Sequence, residues 1–305
     1  MASDFTCSVT SVRDQGAAHI EQLTCTEVTS DSSLITPRNV EVARVIFPPE
    51  KLNLLDINAR RRFLVSKNHG DKAQILSELQ GIFRNTEGGK ATEALAMSSL
   101  AEVAVVTGGI YFASSEHDRQ WPQTGETTRQ GDGFVWFKPD EKRQGFVLSE
   151  QQGNFTSGGY LLLDFKGNAL LVRLGQMLPP TDDYRLIAQS NIVLVANGQE
   201  DGNGDKTKNA VAALSAQQDG TLSLIVAAEP GKASNGFGLT QKEFGQLLVS
   251  LGSRYAINLD GGPSAQFAVR KEGCQNMQSS GTCVENLIHN SDETNRMPQL
   301  FSVSK

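Results

Sequence analysis

The run Asn258-Leu259-Asp260-Gly261-Gly262 brings together residue types that can do chemistry. The apolar stretch from Tyr255 to Leu259 reads as a strand, and its end delivers Asp260 to a turn made by Gly261 and Gly262. A carboxylate at a sheet edge beside the backbone N–H groups of a glycine turn sits in a concavity that can hold an anion. Asp-Gly alone marks only a turn. A second glycine pair, Gly108-Gly109, follows the buried run Val103-Ala104-Val105-Val106 after one residue, Thr107. There the missing side chains either let backbone approach a ligand closely or simply make a tight turn.

Other constellations point to less. His19, His69, His117 and His289 form no close-spaced pair, so no histidine-rich metal site is expected. Asp201, Asn203 and Asp205 with Gly202 and Gly204 resemble part of a calcium loop, but the rest of the EF-hand pattern is missing and a polar loop is expected instead. No cofactor is called for, and a structural divalent cation stays open. Ser264 lacks the Gly-x-Ser-x-Gly elbow of a serine nucleophile and reads as a turn or helper hydroxyl.

The elements that must position these residues are clearest between 239 and 262. Thr240 and Glu243 have capping-box spacing, and Leu239 can staple against Phe244 at a helix start. Phe244, Leu247, Leu248 and Leu251 recur at helical spacing, and Gly252 can close the helix in the left-handed conformation. Asp219-Gly220 between two apolar runs predicts a hairpin with a two-residue turn. Further strands are expected over 40–47, 103–106, 134–137, 145–148, 160–165, 169–173 and 192–196, and helices over 71–83 and 93–100. Residues 1–35 are rich in Ser and Thr without sustained periodicity and read as an irregular extension. Polar loops over 114–133 and 198–209 could border a cleft or lie inert on the surface.

With 305 residues the chain can bury a large core, and its net charge of −6 argues against nucleic acid or a membrane surface as general partners. No apolar run approaches the roughly 20 residues that span a bilayer. Cys7 and Cys25 lie near one end, Cys274 and Cys283 near the other. Two local disulfides are the favoured pairing, each worth roughly 2–3 kcal/mol in the chain-entropy model, and they place the protein in an oxidising compartment, secreted or periplasmic. Four reduced thiols in the cytosol are the alternative. The start Met1-Ala2-Ser3-Asp4 has no signal-peptide character, as expected if such a segment has been removed.

The sequence resembles the phosphodiester glycosidase family. The specific part is Gly238-Leu239-Thr240, the helix, then Asn258-Leu259-Asp260-Gly261-Gly262-Pro263-Ser264. Upstream, Thr107-Gly108-Gly109-Ile110-Tyr111, Ala196-Asn197-Gly198 and Lys208-Asn209-Ala210 are similar to further family motifs. Thr107 stands where the family has Asn, Lys208 where it has Arg, and Pro263 replaces a third glycine. Lysine supplies charge but no planar fork, and proline removes an N–H.

The resemblance implies an α+β fold with a mixed, largely antiparallel sheet packed with helices. Residues 36–305 would be one domain, with 1–35 as the disulfide-tethered extension. It also implies a hydrolase that cleaves a sugar 1-phosphodiester at the glycosidic C–O bond, leaving free sugar and a phosphate monoester. Asp260 would be nucleophile or general base. Glycoside cleavage commonly needs a second carboxyl group. Glu229 is the first choice for it, with Glu116, Asp118, Asp201 and Asp205 in candidate cleft loops. Backbone at Gly108, Gly109, Gly261 and Gly262 would line the phosphate and Lys208 would neutralise it, while Thr107, Tyr111 and Ser264 would meet the substrate or its phosphate. Asn197 and Asn258 would meet sugar hydroxyls. The partner would be a phosphorylated carbohydrate or cell-envelope glycan. The alternative is a binding protein of the envelope with the same fold and no turnover, motivated by Thr107, Lys208 and Pro263.

Overall fold

The computed structural model describes residues 4–28, 38–56, 91–92, 95, 101–106, 119–120, 127–128, 135–137, 158–177, 179–180, 183–202, 207–230, 238–274, 283–288 and 299–305. The first strands are β1 (Asp4–Gln15), β2 (Ala18–Val28), β3 (Asn39–Phe47), β4 (Leu52–Asp56), β5 (Glu102–Val106), β6 (Arg119–Gln120) and β7 (Thr127–Thr128). Next come β8 (Val135–Phe137), β9 (Gly159–Asp164), β10 (Ala169–Arg173), β11 (Tyr184–Ser190), β12 (Val193–Ala196) and β13 (Gln199–Glu200). Then follow β14 (Val211–Gln217), β15 (Leu222–Ala228), helix α1 (Gln241–Ser250), β16 (Ser253–Leu259), β17 (Phe267–Arg270), β18 (Val284–Asn286) and β19 (Gln299–Ser304).

An eight-stranded sheet in the order β1-β2-β3-β15-β14-β16-β12-β13 organises the molecule. β14, near its centre, is buried at every position from Val211 to Ala216 because both its faces are covered. Ala212, Leu214 and Ala216 join one core, whereas Val211 and Ala213 join another. The first core lies against the five-stranded sheet β18-β17-β5-β19-β4, through Phe267, Val269, Phe301 and Val303. The four-stranded sheet β10-β9-β11-β8 adds Leu161, Leu163 and Leu186 to it. The second core is closed by α1, which contributes Phe244, Leu247 and Leu248.

The helix follows from its sequence. The Thr240 hydroxyl accepts from the Glu243 N–H at 3.2 Å, and the Glu243 carboxylate accepts from the Thr240 N–H at 2.7 Å, so both arms of the capping box form. Leu239 and Phe244 share the second core, as the staple requires, and Gly252 stands at φ +90° past the helix end. Gly245 lets α1 approach the sheet: a Cβ there would lie 2.6 Å from the Leu194 carbonyl oxygen.

Three expectations are corrected. The fold is mostly β, with α1 the one helix described over its whole length and every described strand pair antiparallel, so a mixed sheet packed with helices overstates the helical content. Of the helix expected over 93–100, Leu95 is helical and fully buried, while residues 71–83 lie outside the described residues, as does the strand expected over 145–148. Residues 4–28 are not an irregular extension but the β1–β2 hairpin, which pairs onto β3. The β14–β15 hairpin forms, but its loop has three residues, Gln218 to Gly220, with Gly220 at φ +87° and the Gln217 N–H bonded to the Thr221 carbonyl.

Both cysteine pairs are bonded. Cys7 and Cys25 stand directly opposite each other in the β1–β2 register, and Cys274 joins Cys283 across a sequence separation of 9. Among the described residues no helix is long and apolar enough to cross a membrane.

Candidate active site

Strand β16 ends at Leu259, which pairs with Ala212 at the start of β14, and β14 in turn pairs with the end of β15. Three chain segments therefore reach one end of the sheet together: Asp260 leaving β16, Lys208-Asn209 entering β14, and Glu229 leaving β15. Glu229 and Asp260 leave strands that flank β14, two strand spacings apart, or roughly 10 Å between backbones.

Asp260 is 8% exposed. Burial pushes its carboxyl up to about 6, against the opposing effect of hydrogen bonds donated by the Ser264 hydroxyl and the Gly261 N–H. Such a group is mostly ionised at neutral pH and still takes a proton readily, the property a general base needs. Ser264 is itself buried, in the 3-10 turn Gly262–Ser264. The turn fits because Gly261 presses on the neighbouring strand: a Cβ there would lie 2.7 Å from the Ala210 carbonyl oxygen.

The glycine turn does not offer its N–H groups to an anion as the sequence led us to expect. The Gly262 N–H donates to the Ala210 carbonyl at 2.7 Å, extending the β14–β16 ladder by one more bond, and the Gly261 N–H serves Asp260. Thr107, Gly108, Gly109 and Tyr111 lie outside the described residues, as do Glu116, Asp118 and Asp205.

Lys208 is at the right end of the sheet, with its side chain 41% exposed and its Nζ 3.9 Å from Glu243 Oε1. Glu243 also pairs with Arg38, whose Nη2 lies 2.9 Å from Glu243 Oε1 and 3.1 Å from Glu27 Oε2. Arg38 Nη1 donates to the Gly238 carbonyl at 3.0 Å, and the Gly238 N–H donates to Glu229 Oε2 at 3.3 Å. Gly238 is thus clamped between a cation and a carboxylate. It stands at φ +110°, where a Cβ would meet the Asn209 carbonyl oxygen at 2.2 Å. Sequence reasoning missed Arg38, because its importance arises only when residues 27, 38, 238 and 243 meet in space.

Asn258 sits beside Asp260, half-buried, its carbonyl accepting from the Ser190 hydroxyl at 2.7 Å and its N–H bonded to the Ile192 carbonyl. Asn197 does not join this group. It is an exposed turn residue at φ +52° between β12 and β13, followed by Gly198 at φ +76°, the geometry of a two-residue Asn-Gly hairpin. The Gly198 N–H bonds the Arg254 carbonyl at the opposite end of β16, which puts Asn197 roughly 20 Å from Asp260. Its Oδ1 accepts from the Tyr255 hydroxyl at 2.9 Å, a local role. Asp201 is ion-paired with Arg173. Among the described residues no three His, Cys, Asp or Glu side chains come together as a metal site would require.

A family model for phosphodiester glycosidases matches residues 101–292, more than half of the chain. The fold is similar to the catalytic domain of zebrafish N-acetylglucosamine-1-phosphodiester alpha-N-acetylglucosaminidase, auto-inhibited by its pro-peptide, at a TM-score of 0.58 and 12% identity. That match covers 99% of this chain and 88% of the other. A hypothetical protein from Synechocystis matches at a TM-score of 0.41 and 12% identity, over 92% of this chain and 62% of the other. Curated protein sequences give no significant match. The matched segment runs from β5 through β18 and holds Asp260, Glu229 and Lys208. On that match, the chain belongs to the phosphodiester glycosidase family.

Proposed function

We propose that the protein hydrolyses a sugar 1-phosphodiester at its glycosidic C–O bond, releasing free sugar and a phosphate monoester. The observation that carries this reading is the buried carboxyl of Asp260 at the end of β16, raised to about 6 within the segment that defines the family. In the reaction, the C1–O bond breaks with its electron pair going to the phosphate oxygen, and water supplies the new C1 hydroxyl. Asp260 acts as the base that takes the water proton, or as a nucleophile that water later displaces. A phosphate is a good leaving group and needs little help from a general acid. Glu229 is the second carboxylate of the proposal. Roughly 10 Å between the two backbones leaves room for side chains to reach the wider separation of an inverting pair.

Lys208 would meet the phosphate, moving from Glu243 to do so. Both disulfides suit an exported enzyme acting on a phosphorylated carbohydrate or cell-envelope glycan. A second reading, a phosphosugar-binding protein without turnover, is favoured by one feature: the Gly261 and Gly262 N–H groups are already bonded. Incubation with a panel of sugar 1-phosphodiesters separates the two. Reducing sugar released above a denatured control supports the hydrolase, whereas tight binding without release supports the binding protein.

A further inference from the structure

At the opposite end of the central sheet from Asp260 lies a cleft of about 430 Å³. It is built from the β9–β10 turn, the β14–β15 turn, the Pro48-Pro49 bend after β3, and two arginines. Arg254, at the start of β16, lies six positions before Asp260, roughly 20 Å along the strand. The volume is in the range of small-molecule sites, roughly 300–1,000 Å³.

Both arginines are the extra residue of a β-bulge. Along β11, Tyr184 faces Asp164 and Leu186 faces Leu163, which leaves Arg185 unmatched between them. Along β16, Ser253 faces Gln217 and Tyr255 faces Ala216, which leaves Arg254 unmatched. A bulge breaks the strict alternation of a strand and re-aims the side chain it carries. Here two strands of two different sheets each bulge at an arginine, and both arginines line one cleft.

Arg254 rests over the Tyr255 ring, 5.2 Å from its centroid, whereas Arg185 is only weakly matched from within. Arg185 Nη1 stands 3.9 Å from Glu50 Oε2, beyond hydrogen-bond reach, and its Nε is buried without a hydrogen-bond partner. Turning this guanidinium toward a ligand therefore forfeits only a loose ion pair. Lys166 adds a third positive charge. Asp219 keeps its negative charge but is held within its own turn, its Oδ1 accepting from the Thr221 N–H at 2.9 Å and hydroxyl at 2.7 Å. Three cations and two carboxylates, Glu50 and Asp219, line the cleft, which leaves it one net positive charge in a chain of net charge −6. Phe165, 56% exposed, gives the rim an apolar ring on which a flat ligand face can rest.

We propose that this cleft is a second, non-catalytic binding site for an anionic sugar residue, one bearing a carboxylate or a phosphate. The arginine forks would take the anion, because a planar guanidinium matches either oxyanion in two-point contact. Phe165 would take the ring. The site is independent of turnover at Asp260 and would hold a charged glycan while its far end is cleaved or released.

Titration calorimetry with glucuronate, glucose 6-phosphate and neutral glucose tests the proposal on the intact protein and on three variants. At least one anionic sugar should bind and glucose should not, and which anion binds tells carboxylate from phosphate. Arg185→Gln/Arg254→Gln should weaken that binding by about tenfold or more. Phe165→Ala, at a side chain that is 56% exposed, should weaken it severalfold, and Lys208→Ala should leave it unchanged. Turnover of a phosphodiester substrate should survive the double arginine change. Unchanged affinity in both the arginine and phenylalanine variants, equal binding of glucose, or loss of binding in Lys208→Ala would each overturn the proposal.

Discussion

The Ser264 hydroxyl donates to the Asp260 carboxylate from within a buried 3-10 turn, so the candidate catalytic group is held by a neighbour only four residues on. That bond and the Gly261 N–H favour the charged form, yet burial outweighs them.

This balance has a consequence for stability. Asp260 titrates near 6 in the folded protein and near 3.8 when unfolded, so the folded state holds the proton more tightly. Its ionisation removes stability as pH rises from about 4 through 6, an effect of about 3 kcal/mol at most. Asp260→Asn mimics the neutral carboxyl. The variant should unfold at a higher temperature than the wild type at pH 7.5, and the gap should close as pH falls to 4. Thermal melts across that range check it, and a gap independent of pH would contradict the burial effect.

Gly261 should be intolerant of any side chain. With a Cβ placed 2.7 Å from the Ala210 carbonyl oxygen, Gly261→Ala must push the ends of β14 and β16 apart. We expect a loss of about 1–3 kcal/mol and a displaced Asp260, read by denaturant titration and by loss of turnover.

Much of this was legible in the sequence where local signals agree. Thr240, Glu243, the Phe244-Leu247-Leu248 spacing and Gly252 all say the same thing about α1, and α1 forms as they say. The β1–β2 hairpin was not legible. It forms one edge of the sheet, so Val9 and Val12 stay half-exposed while Ser and Thr fill much of the rest, and the alternation that marks a strand is diluted. Asn197 is the instructive miss at the site. Its Asn-Gly pair carried a hairpin signal of its own, and the hairpin puts it at the wrong end of β16. Asp260 was readable because strand, carboxylate and glycines are contiguous, whereas the Arg38 clamp is assembled from four distant segments.

The Cys7–Cys25 bond should stabilise by limiting the unfolded chain. A separation of 18 residues corresponds to about 3 kcal/mol in the chain-entropy model, and 9 residues for Cys274–Cys283 to slightly less. Cys7→Ser/Cys25→Ser should lower the melting temperature measurably under non-reducing conditions. Peptide mass spectrometry of the unreduced wild type should find both bonds and no free thiol.

Lys208 separates binding from chemistry. Lys208→Ala should raise KM for a phosphodiester and lower kcat to a smaller degree, since phosphate charge exists in the ground state and grows as the bond breaks. It also releases Glu243 from a long ion pair of little value at its exposure, so stability should hardly move. Lys208→Arg should retain activity or improve it by supplying a two-point fork. Steady-state kinetics beside thermal melts decide both.

The most direct measurement is the turnover of Asp260→Asn on a sugar 1-phosphodiester that the wild type cleaves, followed as reducing sugar released across pH 4 to 9. For the wild type, kcat/KM should rise through pH 6 as Asp260 ionises. For the variant, kcat should fall by about 10²-fold or more with no loss of stability, and the rise through pH 6 should vanish. A near-normal kcat in Asp260→Asn, with the limb near pH 6 intact, would return Asp260 to the role of a buried turn residue.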